Sequence, residues 1–199
     1  MVRIVRKEVL APTVKLFEMD LPDIAQKARP GQFVIVRVVE DGERIPLTIA
    51  DFDRDKGTVT IIVQELGAST RRIGAMEQGA VFAGVAGPLG IPTHIRKEGT
   101  VVCVGGGVGI ACIYPIARAY KQAGNRLISI VGARTKDLMI YEKQMGAISD
   151  ELIVTTDDGS AGAKGLVTDR LKEIIARGDK IDLVFTVGPS IMMKFVAAT

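Results

Sequence analysis

In the first half of the chain, apolar residues fall in short runs that alternate with polar ones or are rich in Val, Ile, Thr and Phe. Six such runs, RIVRKEVL, TVKLFEM, QFVIVRVV, RIPLTIADF, TVTIIVQEL and AVFAGVAG, have strand length, and RPGQ, EDGE and RDKG supply turns between them. Evenly spaced short strands predict a closed antiparallel barrel, because closure removes the edges an open sheet exposes. Ser69 to Met76 leaves the alternation and predicts a short helix.

From Gly99 the period changes. TVVCVG, RLISIVGA, ELIVTTDDG and IDLVFTVG are continuous apolar strands, and between them lie GIACIYPIARAYKQAG, the mixed stretch DLMIYEKQMGAI and the helix LVTDRLKEIIARG. Apolar strands alternating with amphipathic helices predict a parallel sheet covered on both faces. Two domains are therefore expected: a β-barrel over residues 1–97 and an α/β domain over residues 98–199. The last stretch, PSIMMKFVAAT, opens a helix without a C-cap glycine or polar tail, so the second domain is expected to be incomplete at its C-terminus.

Composition narrows the function classes. The 199 residues are 47% hydrophobic and 25% charged with a net charge of +3, and Lys and Arg are scattered among Asp and Glu. No basic stripe of the kind nucleic acid requires is present. Apolar runs stop well short of the ~18 residues of a membrane span, and Arg3, Arg6, Lys7 and Glu8 interrupt the start where a signal peptide needs an apolar core. A cytoplasmic protein is expected. Cys103 and Cys112 sit in apolar sequence, which suits reduced thiols, and His94 has no Cys or His neighbour and is assigned no role.

The segment VGGGVGIA carries the clearest chemistry. Gly105, Gly106, Gly107 and Gly109 lie where the first parallel strand turns into its helix. There the helix N-terminal N–H groups carry partial positive charge, and absent Cβ atoms let a pyrophosphate approach. Cys112 stands where the usual fingerprint has a third glycine or alanine, so the form is not the standard one. The second strand ends in VGARTKD, so Arg134 and Lys136 replace the acid that would hold a ribose hydroxyl. Positive charge there suits a 2′-phosphate and favours NADP over NAD.

The order of parts, with PGQF, RIPLT, GAST, GPLG and GGGVGIA, resembles the ferredoxin–NADP reductase superfamily. GARTKDLMIYEKQM, TTDDGSAGAKGLVTDRL and VGPSIMMKFV are most similar to the FAD-bearing small subunit of NADH-dependent ferredoxin:NADP oxidoreductase and sulfide dehydrogenase. The electron-transfer subunit of dihydroorotate dehydrogenase is a near relative of that group. The resemblance implies an FAD-binding barrel and an NAD(P)-binding second domain. It places Thr48 near flavin N5 as the catalytic hydroxyl and Leu47 against the ring, with Arg44, Ile45 and Pro46 completing the flavin motif. It lays Ile62, Val63 and Gln64 along the flavin and ribityl chain, and sets Gly67, Ser69 and Thr70 at the FAD pyrophosphate. Gly105, Gly106, Gly107, Gly109, Arg134, Asp157, Gly188 and Pro189 would border the nicotinamide nucleotide.

Full-length relatives carry a [2Fe-2S] cluster on a cysteine-rich C-terminal segment, and the two cysteines of this chain cannot hold one. The implied function is a reductase subunit passing electrons between NAD(P)H, FAD and an iron–sulfur partner such as ferredoxin or a larger flavin/iron–sulfur subunit. Two rivals stand beside it: a self-sufficient NAD(P)H diaphorase, and a nucleotide-binding scaffold subunit without flavin.

Overall fold

In a computed structural model, which describes all 199 residues, the alternating runs of the first half become seven strands. They are β1 (Val2–Ala11), β2 (Val14–Asp20), β3 (Phe33–Arg37), β4 (Ile45–Asp53), β5 (Thr58–Gln64), β6 (Val81–Phe82) and β7 (Gly84–Leu89). Their order in the sheet is β6-β1-β2-β5-β4-β3-β7, all antiparallel where they pair. The two end strands are separated in sequence by Ala83 alone. A sheet whose opposite edges are joined by one residue must curl until they meet, and the result is a nearly closed barrel. The run AVFAGVAG, read as one strand, is in fact split between both edges.

Alternation sets the register. Ile49 on β4 pairs with Ile61 on β5, and both lie in the barrel core with Phe17, Val34, Val36, Val59 and Val63. Burying each such side chain is worth ~1.5–3 kcal/mol. A one-residue slip of β5 would exchange Ile61 and Val63 for Thr60, Ile62 and Gln64, so the core fixes the pairing. Helix α1 (Pro22–Lys27), which the strand pattern did not predict, closes one end by adding Leu21, Ile24, Ala25 and Ala28 to this core. Arg54 holds its C-terminus by donating from Nη2 to the Ala28 carbonyl at 3.0 Å. Helix α2 (Ala68–Gly74) follows β5 and starts one residue before the stretch that predicted it.

The second half contains a five-stranded parallel sheet of order β11-β10-β9-β8-β12. Its strands are β8 (Thr100–Gly106), β9 (Arg126–Ala133), β10 (Glu151–Thr156), β11 (Ala163–Lys164) and β12 (Leu183–Val187). The order runs outward from β8 through β9 to β10, and then β12 is added on the other side of β8. Between β8 and β12 lies the place where the winding reverses. Helix α3 (Gly109–Gln122) packs on β8, β9 and β12, and α4 (Glu142–Ile148) packs on β9, β10 and α3. On the opposite face α5 (Val167–Ala176) and α6 (Ser190–Ala198) cover Val102, Val104, Ile128 and Ile130 with Val167, Leu171, Ile174 and Val196.

Both faces are thus buried, which explains why these strands read as unbroken apolar runs. The mixed stretch DLMIYEKQMGAI resolves into a 3-10 turn (Lys136–Leu138) and α4, joined through Tyr141 at φ 57°. Contacts divide the chain into the units Met1–Thr93 and His94–Thr199, where the sequence reading put the boundary after residue 97.

Candidate functional site

Two constellations carry the chemistry, one in each unit. In the second unit β8 and β12 run in parallel, with Val187 opposite Gly105 at their C-terminal ends. The turns that follow, Gly107–Val108 and Gly188–Pro189, therefore lie side by side at the reversal point of the sheet, where ligands of such folds bind.

The space around each glycine separates its roles. A Cβ at Gly109 would come within 2.4 Å of the Val187 carbonyl oxygen, and one at Gly105 within 3.1 Å of Ile110 Cα. These two are bare so that α3 can seat on the strand ends. At Gly106 and Gly188 the same atom would meet the Met192 side chain, at 2.3 Å and 2.5 Å. Only at Gly107 in this run does it meet nothing within 4 Å, and Gly107 turns the chain at φ +55°. Its own N–H is held by the Gly132 carbonyl at 2.9 Å. The N–H groups of Val108 and Gly109 head α3 and have no acceptor within the helix. Open space, a tight turn and free helix-terminal donors together fit the pyrophosphate of a dinucleotide.

Around this turn the loops after β9 and β10 are tied together. Asp157 and Asp158 donate backbone N–H groups to the carbonyls of Ala133 and Arg134 at 3.1 and 3.3 Å, and Lys136 donates its own to Ser160 Oγ at 2.8 Å. Arg134 is exposed at the end of β9, and neither its guanidinium nor the Asp157 carboxylate has a partner in the chain. The Asp158 carboxyl is held below the ordinary 3.8, first by the Ser160 hydroxyl and then by the Ser160 N–H. Cys103 lies inside β8, where burial pushes its thiol up to about 12, so it is neutral and unreactive.

In the first unit the β3–β4–β5 register sorts the flavin-motif residues onto two faces. Ile45 and Leu47 of β4 pack against the barrel core, and Val63 of β5 lies fully inside it. Their side chains are therefore turned away from anything bound outside the barrel, and only their backbone can border a ligand there. Pro46, Thr48, Ile62 and Gln64 alternate with them on the other face, where Ile62 is itself buried. Phe33 pairs with Thr48 across β3 and β4 and so shares its face, which the Leu47 side chain does not. PGQF contains this residue, but only the pairing reveals its position. The Thr48 hydroxyl makes no hydrogen bond within the chain.

The turn into α2 is more heavily engaged than the sequence implied. Thr70 Oγ1 accepts from Leu66 N and Gly67 N, each at 3.0 Å, and donates to the Gly67 carbonyl at 3.1 Å. It is a helix cap with its bonding capacity used. Ser69 donates its hydroxyl to the Glu43 carboxylate. A phosphate there would have to displace that carboxylate, which repels it. Gly67 fits better, since a Cβ on it would meet nothing within 4 Å. The exposed guanidinium groups of Arg44, Arg71 and Arg72 make no ion pair in the chain and supply positive charge in these segments. The fit of the first unit to FAD thus rests on Phe33 and Thr48 on the outer face of the barrel, the open turn at Gly67 and these arginines.

Comparison with known proteins gives both constellations a context. Residues 103–198 match the family model described as an oxidoreductase NAD-binding domain. The "Dihydroorotate dehydrogenase B (NAD(+)), electron transfer subunit homolog" of Thermotoga maritima is 47% identical over 192 residues, 96% of this chain and 67% of that protein. The chain belongs to the ferredoxin–NADP reductase superfamily.

Within the superfamily it stands with the electron-transfer subunits. That of dihydroorotate dehydrogenase B (NAD(+)) from Fusobacterium nucleatum is 35% identical, with 83% of this chain covering 66% of it. A solved structure reported for flavin-based electron bifurcation, the NADH-dependent reduced ferredoxin-NADP oxidoreductase, aligns at TM-score 0.93 and 45% identity over 100% of this chain and 71% of its own. The chain spans about two thirds of the length of these relatives. The resemblance expected from the motifs and the barrel-plus-α/β fold class are both borne out. No helix is long and apolar enough to cross a membrane.

Proposed function

We propose that this chain is the FAD-carrying, nicotinamide-nucleotide-oxidising part of a reductase subunit that exchanges electrons with an iron–sulfur partner such as ferredoxin or a larger subunit. The observation that carries the reading is the open, positive-φ turn at Gly107 beside Gly188 and Pro189, in a domain of the NAD-binding family. FAD, when bound, joins two-electron hydride chemistry to single-electron transfer.

The chain's own residues position and tune. Gly107 admits the pyrophosphate, and the N–H groups of Val108 and Gly109 neutralise part of its charge. Arg134, placed where an acid would select NAD, favours a nucleotide with a 2′-phosphate through a charge-assisted hydrogen bond. Thr48 offers a hydroxyl that can donate or accept, so it suits a ring nitrogen whose protonation changes with redox state. Phe33 and Ile62 flank it with apolar surface that keeps water away. Neither Cys103 nor Cys112 forms a disulfide, in keeping with a reducing, cytoplasmic setting.

The test is reconstitution. Purified protein supplied with FAD is expected to show oxidised-flavin absorbance, which NADH or NADPH bleaches under anaerobic conditions. Folded protein that stays colourless at saturating FAD overturns the proposal. Flavin that binds but is not bleached by either nucleotide removes the nucleotide half of it. The effect of Arg134→Ala on the two nucleotides decides preference: a roughly tenfold or larger loss for NADPH with NADH unchanged places the 2′-phosphate on Arg134.

A further inference from the structure

The glycines of the nucleotide crevice leave one contact that ligand binding does not explain. Met192 lies in the first turn of α6, half buried, and packs against the cluster of Val102, Val104, Ile128, Ile130 and their helix partners. Its thioether also fills the space of two missing Cβ atoms. A Cβ at Gly106 would stand 2.3 Å from Met192 Sδ, and one at Gly188 would stand 2.5 Å from Met192 Cε and 3.0 Å from Sδ. That same Gly188 atom would be 3.3 Å from Gly106 Cα, so the ends of β8 and β12 lie close together beside the thioether. On the opposite side of the sheet Gly109 locks α3 to the Val187 carbonyl. The crevice is thus clamped from both faces, by backbone on one and by a single flexible side chain on the other.

We infer that Met192 is a positioning residue for nicotinamide-nucleotide binding: its thioether sets the spacing of the Gly106 and Gly188 turns and so holds Gly107 open. The inference rests on the nucleotide binding proposed for this crevice. A methionine suits the task because a long, flexible thioether can fill an irregular gap between two bare backbones. If Met192 only fills the core, truncating it costs stability and nothing else. If it positions the turns, truncation frees them to move, and a ligand that needs their spacing binds less well.

A double-mutant cycle on the FAD-loaded protein separates these outcomes, with NADH affinity read from flavin fluorescence and FAD content and melting temperature recorded beside it. Met192→Ala is expected to weaken NADH about tenfold while FAD content stays at the wild-type level, and Met192→Leu, close in volume, is expected to restore most of the affinity. Gly106→Ala drives its Cβ into the thioether and is also expected to weaken NADH about tenfold, but in the Met192→Ala background it should cost less than about threefold. An unchanged NADH affinity in Met192→Ala, whatever its melting temperature, overturns the inference. So does strict additivity of the two substitutions. Should Met192→Ala fail to fold, Met192→Val, which shortens the side chain less, takes its place with the same expected and overturning results. Absence of NADH binding to the wild-type protein is a different result, because it removes the underlying site and not this residue's part in it.

Discussion

Gly107 and Gly109 are two residues apart in one motif, yet substitution should fail in opposite ways. Alanine at Gly107 meets no neighbour, but it must adopt φ +55° and its methyl enters the approach to the turn. The left-handed conformation costs an L-residue ~1–2 kcal/mol. Gly107→Ala is therefore expected to fold and to lose roughly tenfold or more in nucleotide affinity, measurable by titrating bound flavin with NADH. Gly109→Ala places its methyl 2.4 Å from the Val187 carbonyl oxygen, a backbone atom that cannot swing aside. Its expected signature is a lowered melting temperature. In the first unit, Thr48→Val keeps shape and removes the hydroxyl. Losing one hydrogen bond of ~0.5–1.5 kcal/mol should slow anaerobic reduction of the bound flavin by about two- to tenfold without lowering FAD content. An unchanged rate would make Thr48 an ordinary outward strand residue.

Among the elements, α3 depends on a residue that belongs to none of the motifs. Asn125 is buried at the turn from α3 into β9, and its amide is fully used. Nδ2 donates to the carbonyls of Tyr120 and Arg96 at 2.8 and 3.0 Å, while Oδ1 accepts from the N–H groups of Glu98 and Gly99 at 2.7 and 3.0 Å. One side chain thus ties the C-terminus of α3 to the segment leading into β8. Asn125→Ala leaves these four backbone groups without their partner. The expected melting-temperature drop is roughly 5–15 °C by scanning calorimetry. A change under about 2 °C would mean that water replaces the amide. The sequence offered only a polar residue after Gly124, which any turn can carry. Helix α1 and the two-residue strand β11 escaped for a related reason: each is too short for a periodic pattern to register.

For the whole molecule, two carboxylates set how the α/β unit responds to acid. Asp150 Oδ2 accepts from Leu127 N at 2.8 Å and Asp182 Oδ2 from Thr100 N at 2.9 Å, so each pins the start of a central strand. Asp150 is held below the ordinary 3.8 first by Lys121 and then by that N–H, and Asp182 first by Lys180 and then by its own. A depressed folded-state value means that the stabilisation is fully present above the unfolded value. It is lost as pH falls through the folded one. The melting temperature should therefore hold steady above about pH 5 and decline below about pH 4, and Asp150→Asn with Asp182→Asn should make that decline shallower. The effect is expected to be modest, because both groups are exposed and solvent screens them. An acid transition of unchanged steepness in the double variant would assign it to other groups.

The sequence by itself determined the two kinds of architecture and their order along the chain. Period-two alternation in the first half and unbroken apolar strands parted by helices in the second are direct consequences of one buried face against two. It also marked the glycine turn and the flavin-motif strand, since glycine runs and strand-end motifs are local. The tertiary structure alone decided which members of those motifs turn away from the core. Leu47 and Val63 turn inward while Thr48 turns outward, because the core of a curled sheet selects one parity on every strand. Thr70 is consumed as a helix cap because a hydroxyl three residues past a turn reaches back to it. Gly107 is open while Gly105, Gly106, Gly109 and Gly188 are filled, because what occupies the place of an absent Cβ is set by Ile110, Val187 and Met192. Two of those residues lie about eighty positions downstream, and packing across the sheet, not spacing along the chain, brings them to the turn.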